Sequence, residues 1–162
     1  MTTSGPEVNF KTLIRKPAAF IAYGFGSGLS PKAPGTFGTL VAIPLYWLIQ
    51  DWSLTAYLIF TVIAFLFGIW ICQKTVDWLK QDDPSSVVWD EIVGYLVSMS
   101  FAPTGWEWVL AGFVLFRFFD IAKPWPVSFA DKKLHGGLGI MLDDVLAGLY
   151  TALSIELVIV SI

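Results

Sequence analysis

The chain has 162 residues, of which 56% are hydrophobic and 14% are charged, and its mean hydropathy is +0.68. This apolar excess excludes a disordered chain and argues against an ordinary soluble domain, because so short a chain cannot bury so much apolar surface. A net charge of −3 argues against a nucleic-acid-binding protein, which normally carries a basic excess. The composition therefore predicts a small membrane protein with a single domain over residues 1–162.

The N-terminal segment, residues 1–20, contains a basic amphipathic stretch. Residues 10–16 mix apolar side chains with Lys11, Arg15 and Lys16 ahead of Pro17. Such a stretch can lie on an anionic membrane surface, and a flexible polar tail is an equally good interpretation. Both interpretations remain open at the level of sequence.

A segment rich in Gly, Ser and Pro follows at residues 24–38, and its many turn-forming residues predict a loop. Closely spaced glycines allow backbone N–H groups to face an anion, and a lysine adds a positive charge. The loop lacks both the GxGxxG and the Walker A nucleotide-binding patterns. Its candidate phosphate-binding residues are Gly26, Ser27, Gly28, Lys32 and Thr36.

Five apolar segments occupy most of the remaining chain, at residues 39–49, 54–72, 87–102, 108–121 and 145–162. The second and fifth approach the ~20 residues that a membrane-spanning helix needs, and the others are shorter. The pattern predicts an all-α membrane bundle of about four to five membrane-embedded helices.

The basic residues fall on one side of this predicted bundle. If the five helices alternate in direction, all ten Lys and Arg residues lie on or next to the N-terminal region, residues 73–86 and residues 123–142. The positive-inside rule places these segments in the cytoplasm. The eight tryptophans divide between the two predicted membrane boundaries, as interfacial aromatic residues do.

Five carboxylates converge on the same cytoplasmic end: Asp90, Glu91, Asp120, Asp143 and Asp144. An aspartate deep in a bilayer costs about 2.5–3.5 kcal/mol on insertion scales. Attraction to the N-termini of the predicted helices could explain four of them singly, but Asp120 lies near a helix C-terminus, where the dipole opposes it. A hard divalent cation, Mg²⁺ or Mn²⁺, explains the whole set, because it prefers oxygen ligands.

Three side chains near these acids can donate hydrogen bonds to a phosphate group: Arg117, Lys123 and His135. A structural role for His135 in a flexible loop is an equally good interpretation. The chain has one histidine and one cysteine, so a zinc site is poorly supplied.

Four motifs together resemble the phosphatidylglycerophosphatase A family. The resemblance runs from about residue 22 to residue 150 and is carried by Gly24-Phe25-Gly26-Ser27-Gly28 with Pro34-Gly35-Thr36, by Trp89-Asp90-Glu91, by Phe116-Arg117 with Asp120 and Lys123-Pro124-Trp125-Pro126, and by His135-Gly136-Gly137 with Gly139-Ile140-Met141, Asp143-Asp144 and Ala147-Gly148. It implies an all-helical, Mg²⁺-dependent lipid phosphatase of the bacterial inner membrane. The implied reaction converts phosphatidylglycerophosphate into phosphatidylglycerol and phosphate.

Combined with this resemblance, the residues suggest a mechanism. The five carboxylates hold one or two Mg²⁺ ions, Lys32, Arg117 and Lys123 steady the phosphate, and His135 protonates the leaving glycerol oxygen. Two other functions remain as alternatives: a small ion-coupled transporter, since intramembrane carboxylates often mark ion pathways, and a non-catalytic membrane partner protein.

Overall fold

The computed structural model describes residues 6–162, and the first five residues of the predicted N-terminal segment lie outside this range. All secondary structure within residues 6–162 is helical, which confirms the all-α prediction. The elements are α1 (Phe10–Ile14), α2 (Pro17–Ala22), a 3-10 segment (Gly24–Leu29), α3 (Pro34–Ile49), α4 (Leu54–Leu79), α5 (Trp89–Ser98), α6 (Trp106–Ala122), α7 (Val127–Lys133) and α8 (Gly136–Ser161).

Helix α5 forms the centre of the bundle, packed against α8, α3, α4 and α6. Eight of its ten residues are buried. Two glycines let α5 and α8 pack closely, because a Cβ atom at Gly148 would lie 2.4 Å from the carbonyl oxygen of Gly94. Trp89 at the start of α5 donates a hydrogen bond from Nε1 to the carbonyl of Ala64 in α4, at 3.1 Å. The first turn of α5 is therefore held firmly in place.

Within residues 6–162, two helices are long and apolar enough to cross a membrane, α4 and α8, with 26 residues each. Helix α3 is apolar but has only 16 residues. The prediction of four to five embedded helices is thus supported for two of them. The predicted apolar segment at residues 87–102 is mostly enclosed by other helices, so its hydrophobicity reflects burial within the protein.

Two predicted boundaries were wrong. The predicted loop at residues 24–38 ends early, because α3 begins at Pro34, where the missing N–H and restricted φ of proline suit a first helical turn. Helix α8 begins at Gly136 and not near residue 145. Its early glycines pack against other backbone: a Cβ atom at Gly137 would lie 2.1 Å from the carbonyl oxygen of Ile69.

The earlier start of α8 changes the environment of two acids. Asp143 and Asp144 lie in the third turn of this helix, beyond the reach of the N-terminal dipole. Attraction to the helix terminus therefore does not explain why these two carboxylates are present.

Candidate active site: an acidic pocket at one end of the bundle

A cavity of about 280 Å³ lies where α5 and α8 begin and α6 ends. Eight of the residues predicted for catalysis, metal binding or phosphate binding line it, namely Asp90, Glu91, Arg117, Asp120, Lys123, His135, Asp143 and Asp144. These residues are distributed over residues 90–144 of the sequence and come from three helices and their flanking residues. The fold thus brings together most of the predicted polar residues, and their chemical roles remain predictions.

Of the five predicted carboxylates, three form a compact group. The other two, Asp120 and Asp143, accept hydrogen bonds from Arg117 and Lys123. Asp90, Glu91 and Asp144 each offer a carboxylate oxygen, and these three oxygens lie within 4.8 Å of one another. Four buried atoms at this group and beside it have no hydrogen-bond partner within the described residues: Asp90 Oδ1, Glu91 Oε2, Asp144 Oδ2 and Arg117 Nε. Buried carboxylate oxygens are costly without a partner. A divalent cation with a preference for oxygen ligands fits these three residues, which we call the acidic triad.

Burial dominates the electrostatics at the start of α5. It raises the pKa of Glu91 to about 7, an effect partly opposed first by the interaction with Asp90 and then by the charge of Arg117. Burial also raises the pKa of Asp90, and the nearby charges of Glu91 and Asp144 raise it further. Ionised carboxylates in this position need a nearby positive charge, and a bound cation would supply one.

Arg117 lies between the triad and Asp120. Its Nη1 atom donates a hydrogen bond to Asp120 Oδ2, one helical turn further along α6, and lies 3.8 Å from Glu91 Oε1. Arg117 thus places a fixed positive charge beside the triad, and Asp120 orients it.

Lys123 ends α6 in a left-handed backbone conformation with φ of 44°. Its Nζ atom donates one hydrogen bond to Asp131 in α7 and another to Asp143 in α8, at 3.0 Å. These two carboxylates hold the pKa of Lys123 above its usual value despite its partial burial. Lys123 therefore remains a cation at the cavity wall and links three helices.

The first turn of α3 closes the cavity beside Glu91. A Cβ atom at Gly35 would lie 2.2 Å from Glu91 Oε1 and 3.0 Å from Arg117 Nη1. Ala33, Pro34 and Gly35 line the cavity. Glycine at position 35 therefore allows the backbone of α3 to approach the carboxylate and the guanidinium directly.

His135 is exposed at the N-cap position of α8 and lines the cavity. The predicted phosphate-binding residues Gly26, Ser27, Gly28, Lys32 and Thr36 are not among the lining residues. Gly28 lines a separate cavity of about 490 Å³, and Lys32 is exposed. Contact between these five residues and a phosphate remains a prediction.

The sequence interpretation missed three acids that line the cavity: Asp82, Asp83 and Asp131. Asp131 is the most informative, because it pairs with Lys123. A signal for it was present, since the Pro-Trp-Pro stretch after Lys123 can turn the chain and return an acid to the lysine. Asp82 and Asp83 are exposed and lie in the α4–α5 connection, where nothing in the sequence distinguishes them from ordinary solvent-facing acids.

The fold and the cavity define a class of protein, an all-helical chain with membrane-length helices and a polar pocket suited to a cation and an anionic group. The chain belongs to the phosphatidylglycerophosphatase A family, whose family model matches residues 20–159. Family membership and the two long apolar helices identify it as a membrane-associated phosphatase.

Individual relatives agree with this assignment. The chain is 42% identical to phosphatidylglycerophosphatase A of Escherichia coli, over 84% of the chain and 80% of the relative. It is 44% identical to phosphatidylglycerophosphatase A of Haemophilus influenzae, over 94% of both chains. It is also 45% identical to a Bacteroides thetaiotaomicron protein, provisionally named a phosphatidylinositol-3-phosphatase, over 81% of the chain and 86% of the relative. No solved structure matches the chain.

Proposed function

We propose that the chain hydrolyses the phosphomonoester of phosphatidylglycerophosphate in the acidic pocket, giving phosphatidylglycerol and inorganic phosphate. Water supplies the oxygen that phosphorus gains and the proton that the glycerol oxygen takes up as its bond to phosphorus breaks. The observation that carries this proposal is the acidic triad, whose unpartnered buried oxygens lie beside Arg117 in a chain of this family.

Asp90, Glu91 and Asp144 would hold Mg²⁺. When bound, the ion would neutralise phosphate oxygens and make the phosphorus more electrophilic. Asp120 and Asp143, which were predicted as further ligands, instead face Arg117 and Lys123. We therefore assign them the role of orienting these two cations.

Arg117 and Lys123 would bind the phosphate oxygens from the cavity wall. Both side chains are partly buried, with 15% and 31% of their surfaces exposed, so their charges are only partly screened by solvent. Cations fixed before the substrate binds stabilise developing negative charge without reorganising during the reaction. Lys32 and the glycine-rich residues before it are not needed for this part of the proposal.

His135 would donate the proton to the leaving glycerol oxygen. Its side chain is exposed and lines the cavity that the lipid headgroup would enter. Imidazole is suited to proton transfer near neutral pH.

We further propose that α4 and α8 span the bacterial inner membrane, that α3 and α6 are embedded beside them, and that the pocket opens to the cytoplasm. The basic residues of the chain support this orientation, because Lys74, Lys80, Lys132 and Lys133 all lie in or beside the segments predicted to be cytoplasmic. The acyl chains would remain in the bilayer while the headgroup enters the pocket.

The activity can be tested with purified protein in detergent. We expect phosphate release from phosphatidylglycerophosphate in Mg²⁺, loss of release in EDTA, and recovery when excess Mg²⁺ is added. Phosphatidylinositol 3-phosphate with the same acyl chains serves as the competing substrate and should be hydrolysed more slowly. Absence of release from either lipid in Mg²⁺ would contradict the proposed activity, and faster release from the inositol lipid would replace the proposed substrate.

A further inference from the structure

A second cavity, of about 320 Å³, lies between the N-terminal helices and α4. It shares no lining residue with the acidic pocket. Among the described residues, three cationic side chains line it, those of Arg15, Lys16 and Lys74, and no acidic residue does. We call this cavity the basic groove.

The cations of the basic groove have no acidic partner in the part of the chain that the structure describes. Within residues 6–162, none of the three forms an ion pair. The nearest acid along α4 is Asp77, which accepts a hydrogen bond from Gln73 and does not line the groove. The groove therefore keeps an uncompensated positive charge in a chain whose net charge is negative.

Two tryptophans hold the lysines in place. Lys16 Nζ lies 5.1 Å from the centre of the Trp78 ring, and Lys74 Nζ lies 4.9 Å from the centre of the Trp70 ring. These distances are within the range of cation–π attraction. Indole rings beside lysines are typical of the boundary between hydrocarbon and lipid headgroups.

An exposed apolar stripe on α4 leads directly to the groove. Its members recur every three or four residues and end at Lys74: Ile59, Ile63, Leu66 and Trp70. From Ile59 to Trp70 the stripe is roughly 17 Å long at 1.5 Å per residue. One leaflet of a bilayer has a hydrocarbon thickness of about 15 Å, so the stripe matches the acyl chains of a lipid whose headgroup lies at Lys74.

We propose that Arg15, Lys16 and Lys74 bind the headgroup of one anionic phospholipid at a site separate from the active site, with the acyl chains lying along the α4 stripe. The combination of unneutralised cations and an adjoining apolar stripe of one-leaflet length favours a diacyl lipid over a soluble anion. This inference does not depend on the proposed hydrolytic activity, but it rests on the proposed membrane-spanning position of α4.

The experiment is native mass spectrometry of the full chain in detergent with dioleoyl phosphatidylglycerol or dioleoyl phosphatidylcholine added. The test variant is Arg15→Gln/Lys16→Gln/Lys74→Gln. The control, Lys80→Gln/Lys132→Gln/Lys133→Gln, removes the same charge from other exposed positions. Circular dichroism of each variant checks folding, and Lys74→Gln alone provides a milder change if the triple variant misfolds.

We expect one tightly retained phosphatidylglycerol on the wild-type and control proteins. Its retention should weaken by about fivefold for each groove cation removed, with phosphatidylcholine unaffected. Glycerol 3-phosphate at the same concentration should not displace the lipid. Equal loss in the control variant, equal retention of phosphatidylcholine, or displacement by glycerol 3-phosphate would overturn the proposal.

Discussion

Gly35 packs directly against Glu91, so that a Cβ atom at position 35 would lie 2.2 Å from the carboxylate oxygen Oε1. Ordinary contact distances between such atoms exceed 3 Å, and both elements are held by the surrounding helices. Glu91 therefore depends on glycine at position 35 for its place in the acidic triad.

We expect Gly35→Ala to displace the Glu91 carboxylate by about 1 Å and to lower kcat by about 100-fold, since displacements of this size in an active site have effects of that order. The measurement is phosphate release from phosphatidylglycerophosphate at saturating substrate and Mg²⁺, with thermal unfolding recorded in parallel. A correctly folded Gly35→Ala protein with wild-type kcat would show that the position of Glu91 does not matter for the reaction.

Removing Asp131, one of the two carboxylate partners of Lys123, should affect activity much less than removing the lysine itself. Asp131→Asn leaves Lys123 with Asp143, at 3.0 Å, and should reduce kcat/KM by about threefold. Lys123→Gln removes the cation and leaves the buried Asp143 carboxylate unpaired, so the loss should reach about 100-fold. Steady-state kinetics of both variants checks this order, and a larger loss for Asp131→Asn than for Lys123→Gln would exclude the proposed role of Lys123.

The raised pKa of Glu91 has a consequence for stability. Its pKa is about 7 in the folded protein and 4.5 ordinarily, so between these values the folded state binds the proton more tightly than the unfolded state. The free energy of unfolding of the metal-free protein should therefore fall as pH rises from about 4.5 to about 7.

Thermal unfolding in EDTA and in Mg²⁺ measures this effect. In EDTA we expect Tm to be several degrees lower at pH 8 than at pH 5.5, and Mg²⁺ should raise Tm more at pH 8, where the carboxylates are ionised and able to bind it. Glu91→Gln should reduce both effects. A Tm in EDTA that rises with pH over this range would contradict the assignment of a raised pKa to Glu91.

The convergence of the polar residues could be predicted from the sequence, because apolar segments that alternate in direction place their charged ends together. Asp90, Arg117 and Asp144 meet in the structure for this reason. Which acids form the triad and which pair with basic side chains could not be predicted in this way. Whether Asp120 faces Arg117 or the triad depends on side-chain placement, which charge patterning along the chain does not determine.

The start of α8 was mispredicted because local sequence preference and tertiary packing disagree there. Residues 136–139 contain three glycines, which in isolation favour a loop over a helix. In the folded protein Gly137 and Gly139 are buried against the backbone of Ile69 and Leu134, where a larger residue would not fit. Tertiary packing therefore overrides local propensity at the start of α8. The apolar pattern at residues 87–102 has a similar origin, because most of α5 is buried against other helices.

The most direct test of the role of the acidic triad is to measure phosphate release from phosphatidylglycerophosphate by two variants. The test variant is Asp90→Asn/Glu91→Gln/Asp144→Asn, and the control variant is Asp82→Asn/Asp83→Asn. Both sets line the same cavity, but only the first removes the triad carboxylates, whereas Asp82 and Asp83 are exposed. We expect the triad variant to lose at least about 1,000-fold in kcat/KM, or roughly 4 kcal/mol, and to lose its response to Mg²⁺. The control variant should stay within about threefold of the wild type. Mg²⁺-dependent release by the folded triad variant at the control rate would contradict the account.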